Sequence, residues 1–224
     1  DGKTEVTKAL VTLDITAQSV RQAREKGAQL IVSHHPVIFN PLRTVQPQNI
    51  IYALVQSGIA VISAHTNLDM AYPYGVNNAL CRKLGLQNVR GILKEGETDI
   101  AYMGELPEEM TTEDFAAHIK EALGLSAVRC TAVSKMLRTV AVVGGTGGDY
   151  ALAAQAKGAD AFVTGEVKHH EAIAAQQAGL ALYEAGHYHT ELPYRERLKA
   201  YLDTACPGVE FIVSESERPP METL

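Results

Sequence analysis

The sequence predicts an α/β protein of two similar lobes with mixed sheets, facing each other. Short apolar runs of about four to eight residues alternate with amphipathic stretches of about ten or more, the pattern of alternating strand and helix. Many of the joins carry helix-capping chemistry, with Thr16 and Gly75 as helix starts and Gly27, Gly58 and Gly85 as helix ends. A third observation is a pattern that occurs twice along the 224 residues. An apolar run leads to a vicinal histidine pair, and a second apolar run leads to His-x-x-x-acid.

In order, the first half reads as strands over 8–14, 28–33 and 59–64 and helices over 17–26, 48–57 and 75–84. Past Gly91 the chain turns polar through Lys94-Glu95-Gly96-Glu97 and resumes as a strand over 100–104. The lobe boundary is expected there, with residues 1–96 in the first lobe and 97–224 in the second, the C-terminal helix packing back on the first. The second half reads as a helix over 112–123 capped by Thr111 or Thr112, strands over 126–132 and 138–143, and a helix over 150–157. A strand over 160–164, a helix over 169–178, a strand over 180–185, a helix over 190–203 and a strand over 209–213 follow. Pro219-Pro220 opens a frayed tail. The chain starts at Asp1 without a methionine, so a preceding segment is expected to be missing.

Composition excludes several classes. At 46% hydrophobic residues the chain can bury a core in each lobe, and it holds no apolar run long enough to span a bilayer and no export signal. Cys81, Cys130 and Cys206 are odd in number and far apart, which suits reduced thiols in a cytoplasmic protein. A net charge of −6 without a sustained basic run argues against nucleic acid as a partner. The one local basic stripe, Arg195, Arg197 and Lys199, reads as a solvated helix surface.

The doubled pattern carries the chemistry, and six of the eight histidines belong to it. Its first copy is Leu30-Ile31-Val32-Ser33-His34-His35, then Ala60-Val61-Ile62-Ser63-Ala64-His65 with Asp69 four residues on. Its second is Ala161-Phe162-Val163-Thr164-Gly165-Glu166, then His169-His170, and a run through Leu182 to His187 with Glu191 four residues on. Imidazoles and carboxylates at the ends of buried strands are what a borderline divalent cation requires. A site between the two lobes would draw ligands from both, although 31 positions separate His34 from His65 and only 18 separate His169 from His187.

Individual residues keep competing readings. His34 and His35 precede Pro36, which stops the strand; adjacent side chains splay apart, so both rings reach one site only if the backbone turns between them. The alternative is two surface histidines. His65 either ligates or orients its neighbours, and Thr66, Asn67 and Asp69 either form a capping loop or supply a ligand. If Thr190 opens a helix, His187 and Glu191 lie one turn apart and converge on one ion, and Glu191 could bridge two. Glu166, His169 and His170 could be acid–base groups or a solvated helix start. Asp14, at the end of a buried strand, could support the ligands. The run Gly144-Gly145-Thr146-Gly147-Gly148-Asp149 is either a tight turn or a backbone nest for phosphate.

Together, Ser33-His34-His35-Pro36, Ala64-His65-Thr66-Asn67-Leu68-Asp69, Thr164-Gly165-Glu166 with His169-His170, and Gly186-His187-Tyr188-His189-Thr190-Glu191 closely resemble the GTP cyclohydrolase type 2-like family. These are also called NGG-one-interacting-factor-three-like dinuclear metal proteins. The resemblance implies that His34, His35, Asp69, His187 and Glu191 bind two divalent metal ions, with Glu191 bridging and His65 beside them. Zinc, iron, manganese, cobalt and nickel all suit such mixed donors. It further implies two α/β lobes with the metals in the cleft between them, and a ring-shaped homohexamer built from dimers. Some bacterial relatives carry an inserted domain that this chain is too short to hold.

The activity implied is opening of the imidazole ring of GTP by hydroxide activated at the metals, giving formate and dihydroneopterin triphosphate, with Glu166, His169 and His170 as the acid–base residues. Fold and ligands transfer within a family better than substrate does. Two other readings stand beside it: a metal-dependent phosphoesterase, and a non-catalytic metal-binding or regulatory ring protein.

Overall fold

A computed structural model describes residues 2–221. In chain order its elements are β1 (Lys8–Thr12), α1 (Ala17–Lys26), β2 (Leu30–Ser33), α2 (Ile50–Ser57), β3 (Ala60–Ser63), α3 (Thr66–Asp69), α4 (Val76–Lys83), β4 (Gln87–Glu95), β5 (Thr98–Thr111) and α5 (Thr112–Leu123). There follow β6 (Arg129–Cys130), β7 (Met136–Val143), α6 (Ala151–Ala156), β8 (Ala161–Thr164), α7 (His169–Gln177), β9 (Ala181–Glu184), α8 (His187–Glu191), α9 (Tyr194–Ala205) and β10 (Glu210–Val213). The chain divides into two compact units, residues 2–68 with Arg195–Arg218, and Asp69–Tyr194 with residues 219–221.

The first unit holds a four-stranded sheet in the order β10-β1-β2-β3. Mixed sheets were expected in both lobes, but every pairing here is parallel, because each strand returns through a helical crossover. Helix α1 starts on a reciprocal Thr16–Ser19 cap and stops at Gly27, whose φ of 70° suits glycine. Its Val20 and Ala23 pack with Leu54 of α2 against Leu10 and Ile31.

The second unit holds the mixed sheet, six strands in the order β4-β5-β7-β8-β9-β6. Its centre, β7-β8-β9, is parallel and buried on both faces. Leu137, Val140 and Val142 of β7 join a core with Leu80 and Phe115, while Ala141 and Val143 join another with Ala154 and Phe162. From Val140 to Val143 alternate side chains therefore feed opposite layers.

Three expectations are corrected. The stretch read as a polar boundary is the β4–β5 hairpin: Glu95 pairs with Thr98 across a two-residue turn in which Gly96 has φ 64°. The strand expected over 126–132 shrinks to the two residues of β6. The helix expected over 190–203 begins earlier and is split into α8 and α9 around Pro193, which lacks an amide hydrogen.

Arg195 is not part of a solvated stripe. Its guanidinium pairs with the buried Glu217 carboxylate, whose Oε1 accepts the Leu13 and Asp14 amides at 2.6 and 2.9 Å. Replacing Glu217 with alanine would strand a buried cation and two amides just past β1. The expected loss is about 2–4 kcal/mol of unfolding free energy. Urea denaturation of Glu217→Ala against Glu217→Gln, which keeps one acceptor, checks this; an unchanged midpoint in both would contradict it.

Candidate metal centre

Strand register brings the first histidines together. Thr12, Ser33 and Ser63 stand level across β1, β2 and β3, so the residues that follow leave the same carboxyl edge of the sheet. The turn that two adjacent imidazoles require is present: the Ser33 hydroxyl, bonded to Ser63 Oγ at 2.7 Å, also reaches back to the His35 carbonyl at 2.9 Å. The ring centroids of His34 and His35 end 4.9 Å apart, and both lie within 5.5 Å of the His65 ring. One ligand atom from each of the three falls within 4.8 Å of the others.

The tautomers follow from the partners. His34 Nδ1 lies 2.8 Å from the Ala64 carbonyl, which only accepts, so Nδ1 carries the hydrogen and Nε2 the lone pair. His35 Nδ1 lies 2.8 Å from Asp14 Oδ1, with the same consequence while that carboxylate is ionised. Asp69 closes the short helix α3 that begins after His65.

In the second unit, Gly186 with φ 79° turns the chain into α8, so the helix opens at His187 and not at Thr190 as expected. The expected one-turn spacing survives: His187 Nε2 lies 3.2 Å from Glu191 Oε2. His187 Nδ1 donates to Glu166 Oε1 at 3.0 Å, and Glu166 Oε2 accepts the Thr146 hydroxyl at 2.8 Å. The Thr146 bond is the main reason the Glu166 carboxyl titrates below the ordinary glutamate value. His187 is raised above its ordinary 6.5, first by the Glu191 carboxylate and also by Glu166.

The glycine run packs against this pair, and three of its amides are bonded within the protein. The Gly144, Gly145 and Gly147 amides donate to Asn77 Oδ1, Thr190 Oγ1 and Thr164 Oγ1, and the Gly145 carbonyl accepts the Gly165 and Glu166 amides. Gly145 has φ 62°, and a Cβ on it would stand 2.4 Å from Glu191 Oε1. Reading the sequence missed Asn77, for which it carried no signal, and gave Thr146 and Thr190 places in the glycine run and a helix start but no role as side-chain partners.

His169 and His170 are exposed in the first turn of α7. His169 lines a groove of about 350 Å³ with Arg129, Cys130, Ile173 and Glu184. The strand ends also shift the internal correspondence. Ala64 and Ala185 donate equivalent amide bonds to Ser33 and Thr164, so Gly165 and Glu166, not His169 and His170, occupy the places of His34 and His35.

Two outcomes follow. Gly145→Ala forces a side chain into a left-handed position against Glu191, and a loss of about 2 kcal/mol or more is expected in denaturant unfolding; wild-type stability would contradict the packing. In metal-stripped protein, His187 is protonated more readily folded than unfolded. Its stabilisation is therefore complete below about pH 6.5 and fades as pH rises through the raised value. Histidine NMR titration should place His187 above His189, which burial lowers.

The family model for Duf34/NIF3 (NGG1p interacting factor 3) matches residues 1–220. A Clostridium perfringens protein named GTP cyclohydrolase 1 type 2 homolog is 32% identical, over 99% of this chain and 88% of that protein. A Staphylococcus aureus protein of the same name is 28% identical, over 90% of this chain and 85% of its own length; its matched span of 312 residues exceeds this chain, so it carries additional sequence within the match. The crystal structure of a Staphylococcus aureus hypothetical protein superposes with a TM-score of 0.93 at 31% identity, covering 100% of this chain and 89% of that one. A Bacillus cereus protein related to NIF3 shares the fold, with a TM-score of 0.88 at 24% identity over 98% of this chain and 90% of its own. The chain belongs to the Duf34/NIF3 family.

Proposed function

We propose that the protein is a dinuclear metal-dependent hydrolase of a small molecule, holding two divalent ions with His34, His35, Asp69, His187 and Glu191. The observation that carries this is the treatment of three imidazoles. The Nδ1 atoms of His34, His35 and His187 each lie within hydrogen-bond distance of an oxygen, on Ala64, Asp14 and Glu166, so each ring turns its Nε2 the other way, that of His187 toward Glu191 Oε2 at 3.2 Å. That is the arrangement of metal-ligating histidine in general, an imidazole aimed by a carbonyl or carboxylate behind it. The mixed nitrogen and oxygen donors suit zinc, iron, manganese, cobalt or nickel.

Bound ions of this kind supply activation of water near neutral pH and neutralisation of developing negative charge. The chain's own residues do the rest. Asp14 and Glu166 hold the tautomers of His35 and His187, and His65 packs beside His34 and His35. The relatives' names point to GTP as substrate, and opening of its imidazole ring is the reaction that the family resemblance implies. The leaving ring nitrogens need protons, which His169 and His170 would pass in from solvent, while Glu166, an ionised carboxylate bonded to His187, would act as base. No described helix is long and apolar enough to cross a membrane. A homo-oligomer fits the first unit: β3 ends the sheet, and its Ile62 is 58% exposed.

The test is turnover of the metal-reconstituted protein on GTP and on generic phosphoesters, with Glu191→Gln as control. Metal-dependent release of formate from GTP, lost in Glu191→Gln, is the expected result. Hydrolysis of phosphoesters alone would favour the phosphoesterase reading, and no metal-dependent turnover on any of them would sink the enzyme. Elemental analysis should find about two ions per chain, and Asp14→Asn should weaken metal binding by about 10–100-fold; unchanged affinity there would contradict the orienting role.

A further inference from the structure

Residues 36–49 run from the His34-His35 turn to α2 without helix or strand. Irregular segments of this length are uncommon inside a compact domain. Val37 packs on the core of the first unit, while Ile38, Phe39, Leu42 and Val45 point outward. Among these Phe39 stands out, because it is 68% exposed and yet placed against the histidines. Its ring centroid is 6.1 Å from that of His65, with the two planes at 89°. In a perpendicular pair either one face or only the edge of Phe39 is occupied by His65, so at least one face of the benzyl ring is left for another ring. His65 in turn lies 5.1 and 5.5 Å from His34 and His35.

We infer that Phe39 is a specificity-determining residue, giving a stacking face to a flat heteroaromatic ring, a purine base, whose reacting atoms lie at the histidines. This rests on the hydrolase reading of the same site and adds the recognition of the base. A planar ring is the ligand for which an exposed aromatic face is selective, since every base has a π-face and an inorganic phosphate or a glycerol ester has none.

The chain contains no tryptophan, so Phe39→Trp installs a sole indole at the position in question. With metal-loaded protein, GTP and guanosine should quench the emission of Phe39→Trp, and inorganic triphosphate and glycerol phosphate should not. Tyr201→Trp, on α9, controls for inner-filter effects. By calorimetry Phe39→Ala should bind GTP about 5–100-fold more weakly, with triphosphate affinity and metal content unchanged, and Phe39→Tyr should restore GTP binding.

Equal quenching by triphosphate, unchanged GTP affinity in Phe39→Ala, or no purine binding at all would overturn the inference. So would emission that depends on protein concentration without ligand, because the loop would then be covered by a second copy. Binding needs no turnover. If GTP stacks but is never opened, the activity assignment fails and this one stands; if it is opened with the same KM in Phe39→Ala, only this one fails.

Discussion

An imidazole binds a metal only through the nitrogen it has not spent on a hydrogen, and it aims that nitrogen only if the other is tied down. In the proposed site that constraint reaches back through the fold. The Ala64 carbonyl that fixes His34 is in place because β3 runs level with β2, and the Asp14 carboxylate that fixes His35 stands just past β1. Asp14 is held in turn through its amide by Glu217, far along the chain, and Glu217 is neutralised by Arg195. The strand order β10-β1-β2-β3 thus has a chemical consequence, since a slip of one residue in any pair would turn an oriented imidazole to the other face.

The second unit meets the same demand by different means. His187 and Glu191 share one helical turn, so their spacing comes from helix geometry. Their placement comes from crowding: Gly145 passes so close that no side chain fits between its backbone and Glu191, and a Cβ on Gly165 would stand 2.6 Å from the His187 Cα. Thr190, inside α8, accepts the Gly145 amide and so ties the helix to the loop. Glycine here costs chain entropy on folding and gives close backbone approach.

What could be read from the sequence divides along physical lines. Parallel strands buried on both faces write themselves as runs such as Leu30-Ile31-Val32 and Ala161-Phe162-Val163, and α1 and α5 carry their caps openly in Thr16 and Thr111. The β4–β5 hairpin did not show, because β4 is an edge strand interrupted by register shifts and its side chains do not alternate cleanly. Gly96 was the one available signal. The candidate ligands were visible as residue types at strand ends, whereas the partners that aim them were not. Asn77 lies 67 positions from the Gly144 amide it accepts, and no local pattern encodes such a contact.

The repeat itself takes on a different meaning once the strand ends are aligned. Ala64 and Ala185 make the same backbone bond to the preceding strand, which puts Gly165 where His34 stands and Glu166 where His35 stands. The two units therefore share a scaffold, three adjacent parallel strands with loops at one edge, and differ in which loop carries the nitrogen donors. In the first unit they leave β2 and β3; in the second the loop after β8 is reduced to glycine and a carboxylate, and the donor moves to the helix after β9. The substitution is forced by space, since a side chain at position 165 would collide with the backbone of His187. Resemblance between the two histidine pairs in the sequence is thus coincidental in register. The equivalence that matters is between His35, aimed by the carboxylate of Asp14, and Glu166, the carboxylate that aims His187.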